Sequence, residues 1–230
     1  MPNPADNRFE PTSRTRLKRI PDRGSYDRET IYRILDEGLV CHVGFVDQGD
    51  PFVIPTIYVR IDDRVYLHGS PGSRMLRHVA EAGVVCVTVT LLDGLVLARS
   101  AFHHSINYRS VVVLGSGQTV GDREEKRGVL HRLTEKVVPG RWDEVRQPSA
   151  SELDGTAVVA VELTEASAKV RSGPPKDDEV DYHLPVWAGE LRLRLRPEAL
   201  IADPRLPPET AVPAYLSHWS SVQAGRTTTD

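Results

Sequence analysis

The feature that most constrains this chain is a series of β-branched and aromatic runs separated by tight turns between residues 39 and 70. The run LVCHVGFV is followed by the turn DQGD, and PFVIPTIYVRI is followed by DDR and then by VYLHGS. Runs of this length with turn residues between them are typical of strands joined by hairpins. The segment therefore predicts an antiparallel meander, in which Pro55 disturbs the middle strand.

The rest of the chain continues this pattern with a few helices inserted. The further β-rich runs are VVCVTVTLL, LVLARS, NYRSVVVLGSGQTVG, TAVVAVELTEASAKVRSG and ELRLRLRP. Apolar spacing predicts a helix that begins near Asp27 and stops at Gly38, a short helix over 73–82, and a longer one from Asp122 to Pro139. Six or seven strands with helices at the connections favour a mainly β fold, a closed antiparallel barrel, over a βαβ sheet.

Composition excludes several classes of protein. The chain has 230 residues, of which 40% are hydrophobic and 27% charged, and its net charge is −3, which fits one large globular domain. No excess of positive charge indicates nucleic acid, and no apolar run is long enough for a membrane span. No apolar leader segment is visible, so we expect a soluble cytoplasmic protein in which Cys41 and Cys86 are reduced.

Three segments differ in composition. Residues 1–24 form an N-terminal arm with a basic run, which we expect to be solvated or laid over a partner subunit rather than bound to nucleic acid. Residues 25–202 contain the predicted strands and form the main domain. Residues 203–230 are rich in Pro, Ser and Thr and are predicted to be an irregular C-terminal tail.

Common catalytic and metal motifs are absent from the sequence. Gly115, Gly117 and Gly121 do not match a dinucleotide-binding fingerprint and favour a turn or a bulge. His103 and His104 are adjacent, and neighbours on a strand point to opposite faces, so both can ligate one metal ion only from a loop. We therefore predict no metal site and no hydrolase chemistry.

The segment VYLHGSPGSRMLRHV has the outline of an anion site. A strand ends at His68-Gly69-Ser70, and Ser73 and Arg74 begin a helix whose N–H groups and arginine suit a phosphate. The alternative is that Ser73 only caps the helix and Arg74 is solvated. The cluster NYRS at 107–110 favours the phosphate site, because a phosphorylated planar cofactor also needs hydrogen-bond partners for its ring.

Three segments in this order resemble the pyridoxamine 5′-phosphate oxidase-like flavin-binding split barrels, and within them the branch of nitroimidazole-resistance proteins. The segments are HGSPGSRMLRH, SAFHHSINYRSVVVLGSG and SGPPKDDEVDYHLPVWAGELRL, and the resemblance covers the chain from about residue 23 to residue 196. It implies a homodimer of split β-barrels with two FMN sites at the subunit interface, each built from both chains.

The resemblance also implies which residues hold the flavin. The residues along the ring are Val53, Ile54, Pro55 and Thr56, those around the phosphate and ribityl chain are His68, Gly69, Ser73 and Arg74, and those reaching the ring environment are Asn107, Arg109, Ser110 and Trp187. His68 is the candidate catalytic residue, because it occupies a position similar to that of a cofactor-side histidine in the nitroimidazole-resistance branch.

The predicted function is an FMN-dependent oxidoreductase that acts on a small organic molecule, with NADH or NADPH as donor and nitro-compound reduction as its narrower form. The C-terminal signature of true pyridoxamine phosphate oxidases is not recognisable, so vitamin B6 oxidation is not expected. Two alternatives stay open. One is a flavin-nucleotide carrier without catalysis, and the other is a split barrel that binds F420 or haem, with His103 or His104 as axial haem ligand.

Overall fold

The computed structural model describes residues 7–217 and Trp219. The strands of this part are β1 (Gly24–Ser25), β2 (Val40–Asp47), β3 (Asp50–Ile57), β4 (Val59–Ile61), β5 (Arg64–Gly69), β6 (Val84–Leu97), β7 (Ser105–Thr119), β8 (Ala157–Glu162), β9 (Glu165–Arg171) and β10 (Gly189–Arg192). The helices are α1 (Arg28–Glu37), α2 (Arg74–Ala80), α3 (Arg123–Val137), α4 (Ala150–Asp154) and α5 (Ala214–Ser217). None of these helices is long and apolar enough to span a membrane.

The strands form one antiparallel sheet with a branch at β7. Its main order is β3, β2, β6, β7, β8, β5 and β4, while β9 pairs with β7, β1 with β9, and β10 with β6. The first part of β7 pairs with β9 through residues 108–114, and its last residues 117–119 pair with β8. The sheet is therefore divided into two parts that share β7.

The prediction of a closed barrel was wrong. The main order begins at β3 and ends at β4, and these two strands share no hydrogen-bonded ladder among the described residues. They are consecutive in the chain instead, joined by Tyr58, which is buried and donates its hydroxyl to the carbonyl of Leu35 at 2.5 Å. β3 and β4 are thus connected by a bend in the chain at Tyr58, whereas in a closed barrel a hydrogen-bonded ladder would connect the first and last strands.

The strand count also differs from the predicted six or seven. The described part of the chain has ten strands, and three of them, β1, β4 and β10, are only two to four residues long. Of these, β4 and β10 overlap the longer runs PFVIPTIYVRI and ELRLRLRP, whereas β1 has too few residues for a period of two to be recognised in a sequence.

Three helices begin at N-caps, close to where the sequence predicts each helix to start. The caps are Asp27 for α1, Ser73 for α2 and Asp122 for α3, and each side chain accepts a backbone N–H of the first turn. α1 and α2 bury their apolar faces in the main core with the strands, whereas α3 covers a second cluster formed with β4, β5 and β8. The space inside the sheet is therefore filled by protein side chains.

The described part of the N-terminal arm packs on its own chain. Phe9 is 2% exposed and belongs to the main core, and Thr12 and Arg14 both hydrogen-bond the carboxylate of Glu165 in β9. In the predicted irregular tail, residues 203–213 form no helix or strand and are followed by α5, whereas residue 218 and residues 220–230 lie outside the described residues.

Candidate functional site

Strand β7 places three of the predicted site residues on two opposite faces of the sheet. Asn107 and Arg109 share a face with the fully buried Val111 and Val113, and Ser110 lies on the other face. Ser110 donates its hydroxyl to the carbonyl of Lys169 at 3.3 Å. A ligand on one face of β7 therefore cannot contact all three side chains.

Arg109 is held by two carboxylates of its own chain. Its guanidinium makes two hydrogen bonds to Glu37 at the end of α1 and two to Asp93 at the irregular point of β6, among them Nε to Oδ2 of Asp93 at 2.9 Å. These bonds raise the pKa of Arg109 above its ordinary value. The side chain joins α1, β6 and β7 and has most of its donors already in use.

Asn107 is a buried junction between three strands. It is 5% exposed, and its Nδ2 donates to the carbonyl of Gly173 at 3.2 Å and to Oε2 of Glu190 in β10 at 2.6 Å. Its Oδ1 accepts from Arg171 of β9, whose pKa burial lowers. The amide has its hydrogen bonds satisfied within the chain.

Strand β3 is an edge of the sheet, as a strand that lies along a flavin requires. Val53 and Pro55 point to the exposed face, and Ile54 and Thr56 point to the side of the core. Val53 is 67% exposed. An edge strand keeps backbone N–H and C=O groups that no neighbouring strand uses, and these suit the polar edge of a planar ring.

Arg74 lies beside the hairpin of β2 and β3. Its Nε is 3.5 Å from Oδ2 of Asp47, and its guanidinium carbon is 4.4 Å from the centre of the Phe52 ring. The residues around the open pocket of about 340 Å³ at this point are Asp47, Gln48, Asp50, Phe52, Arg74 and Arg77. A phosphate in this pocket would compete with Asp47 for Arg74.

His68 and Gly69 end β5, and Ser73 follows as the cap of α2. The Ser73 hydroxyl accepts the N–H of Leu76 at 3.4 Å, so its capping role is present in the structure. His68 is on the α3 side of β5, whereas α2 packs on the opposite, core side with Leu67. Its Nδ1 is buried without a hydrogen-bond partner among the described residues, and burial lowers the pKa of His68.

At the end of β6, the loop that follows this strand contacts a segment near the C-terminus. Nothing in the sequence indicates this contact. We call residues 98–104 the β6–β7 loop and residues 172–192 the C-terminal extension. Asp177 of the extension has a fully buried side chain that pairs with Arg99 of the loop at 3.1 Å, and Arg99 lies over the ring of Tyr182. The sequence shows only a charged, proline-rich stretch here, which has the appearance of a solvated turn.

The loop and the extension expose large apolar side chains. They are Phe102 (89% exposed), Val180 (77%), Trp187 (70%), Leu191 (51%), Val186 (49%), Tyr182 (47%) and Leu184 (44%). Trp187, predicted to lie near the flavin ring, is placed by the extension next to Gly189, which pairs with Leu97 at the end of β6. Exposed apolar surface of this extent is typical of a binding region.

An antiparallel sheet that divides at a shared strand around a core filled by two helices defines a split-barrel protein. Residues 27–170 match the family model described as pyridoxamine 5′-phosphate oxidase. The chain belongs to this family, which confirms the resemblance found in the sequence. None of the curated proteins compared with the chain matches it.

Three solved structures are similar to this one. The flavocytochrome Anf3 from Azotobacter vinelandii is 41% identical, over 91% of this chain and 97% of its own, with a TM-score of 0.85. The FAD and heme binding protein from Mycobacterium smegmatis is 33% identical, over 86% of this chain and 97% of its own, with a TM-score of 0.82. A structure from Bacteroides thetaiotaomicron, described as a 5-nitroimidazole antibiotic resistance protein, shares the fold at 24% identity over 64% of this chain and 86% of its own, with a TM-score of 0.55.

Proposed function

We propose that this protein is an oxidoreductase that binds a flavin and a haem in the same chain and works as a homodimer. The observation that carries the proposal is the similarity to a flavocytochrome and to an FAD and heme binding protein over 91% and 86% of the chain. These shares are larger than the part that residues 27–170 represent, so both similarities continue past the family match into the part of the chain that contains the C-terminal extension.

The flavin half of the proposal is supported by the pocket beside α2. Arg74 and Arg77 are one helical turn apart, and both line the pocket near the edge strand β3. Two guanidinium groups at this spacing suit the two phosphates of a dinucleotide. We therefore propose FAD in place of the FMN that the family resemblance implies.

The haem half is supported by the β6–β7 loop and the extension. They combine exposed aromatic and aliphatic side chains with the adjacent histidines His103 and His104. A haem site needs both an apolar surface and an imidazole ligand. When bound, a flavin accepts a hydride and a haem carries single electrons, so the two together connect a nicotinamide donor to a one-electron acceptor.

The homodimer is supported by the outer face of β2, β3 and β6. This face exposes apolar side chains that a single chain leaves uncovered, namely Val40, Val46, Val53, Ile57, Val84 and Leu92. A second copy of the chain would bury them, which agrees with flavin sites at a subunit interface.

The flavin half is tested by extracting the cofactor from purified protein and by comparing Arg74→Ala with Arg64→Ala. The extracted compound should be FAD, and recovery of FMN or of a deazaflavin would contradict this choice. Loss of a charged phosphate contact at Arg74 should raise the flavin dissociation constant roughly 10- to 150-fold, or about 1.5–3 kcal/mol. Arg64 pairs with Glu162 on another part of the sheet and serves as the matched control.

A further inference from the structure

The two histidines of the β6–β7 loop differ in what surrounds their ring nitrogens. Nε2 of His103 is buried and lies 3.3 Å from Oδ2 of Asp178 in the extension. The ring also packs edge-on against Phe102, with 5.2 Å between the ring centres. This nitrogen of His103 faces a carboxylate of its own chain and is closed to an external ligand.

His104 has the opposite arrangement. Its Nδ1 is 2.9 Å from the carbonyl oxygen of Ser100, which accepts a hydrogen bond only when Nδ1 carries the proton. This tautomer leaves the lone pair on Nε2 of an exposed side chain, and no described residue hydrogen-bonds that atom. A ring with Nδ1–H donated to a backbone carbonyl and Nε2 open is the arrangement that ligating histidines adopt.

The backbone that leads to the Ser100 carbonyl is in turn held by the extension. Oδ1 of Asp177 accepts the backbone N–H of Arg99 at 2.9 Å and that of Ser100 at 3.4 Å, and Oδ2 accepts Nη1 of Arg99 at 3.1 Å. The Asp177 side chain has no solvent exposure. A buried carboxylate with three donors restricts the two peptide groups that immediately precede the Ser100 carbonyl, the acceptor for His104.

Apolar side chains lie on both sides of His104 in the chain. Phe102, two residues before it, is 89% exposed, and Ile106, two residues after it, is 42% exposed. A porphyrin resting on these side chains would remove apolar surface from water without displacing any residue of the core.

We propose that Nε2 of His104 is an axial ligand of the haem iron and that Asp177 is a positioning residue that orients the His104 ring through Ser100. The inference rests on the proposed haem content of the chain and is independent of which flavin and which acceptor the protein uses.

Variants of the full chain with their cofactors test the ligand. In His104→Ala, we expect haem affinity to fall roughly 100-fold or more, beyond the effect of losing an outer partner of a ligand. Flavin content should stay unchanged, and added imidazole should restore the Soret spectrum. His104→Met should retain haem with a shifted spectrum and a higher reduction potential, and it decides the question if His104→Ala does not fold.

His103→Ala and His183→Ala are the matched controls, because they lie on the same loop and on the extension. Both should keep the spectrum of the unchanged protein. The ligand assignment is overturned if His104→Ala and His104→Met leave the spectrum unchanged, or if either control loses haem while His104→Ala does not. Absence of haem from the unchanged protein overturns the proposed function and this inference with it. Haem in the unchanged protein with no effect of the His104 variants overturns this inference alone, so the two failures are distinguishable.

The positioning role is tested by Asp177→Ala, Asp177→Asn and Asp178→Ala. We expect Asp177→Ala to lower haem affinity roughly 10- to 100-fold and to shift the haem reduction potential. Asp177→Asn keeps an oxygen for the two backbone N–H groups and should restore most of both. Asp178→Ala changes the neighbouring residue, which contacts His103, and should alter neither. An unchanged spectrum and potential in Asp177→Ala, with only a loss of folding stability, would overturn the positioning role.

Discussion

Arg109 shows how a single side chain determines the packing at one end of this fold. Its four hydrogen bonds connect β7 to Glu37 of α1 and to Asp93 of β6. Without the guanidinium, two carboxylates would face each other across a half-buried space. The structure therefore favours a stabilising role for Arg109, although the family resemblance places it near the cofactor.

We expect Arg109→Ala to lower the free energy of unfolding by about 1–3 kcal/mol, because charged hydrogen bonds are lost and like charges remain. Arg64→Ala removes an exposed pair with Glu162 and should cost at most about 1 kcal/mol. Urea unfolding of both variants measures these changes. A variant at Arg109 that keeps full stability but loses flavin would show that its role is in cofactor binding.

His68 predicts a dependence of stability on pH. Burial lowers the pKa of His68 below the ordinary value of a histidine, so the unfolded chain binds this proton more readily than the folded chain. The folded state should lose stability as the pH falls from above 6.5 through the lowered pKa, and His68→Gln should lack this contribution. Unfolding free energies at neutral and mildly acidic pH, measured for both proteins, test the difference. Equal losses in the two proteins would contradict it.

At the scale of elements, the parts of the structure that depend on local sequence could be predicted. The predicted helix starts near Asp27, Ser73 and Asp122 agree with the structure, because a cap and its first turn are neighbours in the chain. Alternation along β7 could also have separated Asn107 from Ser110, had it been applied to the site residues. The contact of the extension with the β6–β7 loop could not be predicted. Asp177 and Arg99 are 78 positions apart, and no local sequence pattern indicates that they pair.

The arm offers a test that compares two phenylalanines. Phe9 is 2% exposed and Phe102 is 89% exposed. Phe9→Ala should lower the free energy of unfolding by about 3–5 kcal/mol, since it leaves a cavity in the core. Phe102→Ala should change it by no more than about 0.5 kcal/mol. Similar values for the two variants in urea unfolding would mean that residues 7–23 are not part of the folded core.

For the whole molecule, the family and the mainly β architecture were predictable from the sequence. Whether the first and last strands of the sheet pair with each other was not. Alternating runs identify strands, but they do not say whether the first and last strands meet through a ladder or through a corner such as Tyr58. The outer apolar face has a related consequence, because the proposed second chain would cover its exposed valines.

Val53→Glu should convert the proposed dimer into monomers, because it places a charge on this apolar face, where Val53 is 67% exposed. Ile201→Glu is the control, since Ile201 is 94% exposed in the segment that follows β10. Sedimentation velocity measures both. A dimeric Val53→Glu protein, or a monomeric unchanged protein, would contradict the proposed interface.

The most direct test of the account is the absorption spectrum of the purified protein, with flavin and haem counted per chain. We predict a Soret band together with flavin absorption, at about one haem and one flavin for each chain. A protein with flavin and no haem after expression with sufficient iron, or with neither, would contradict the central claim that this split barrel holds both cofactors.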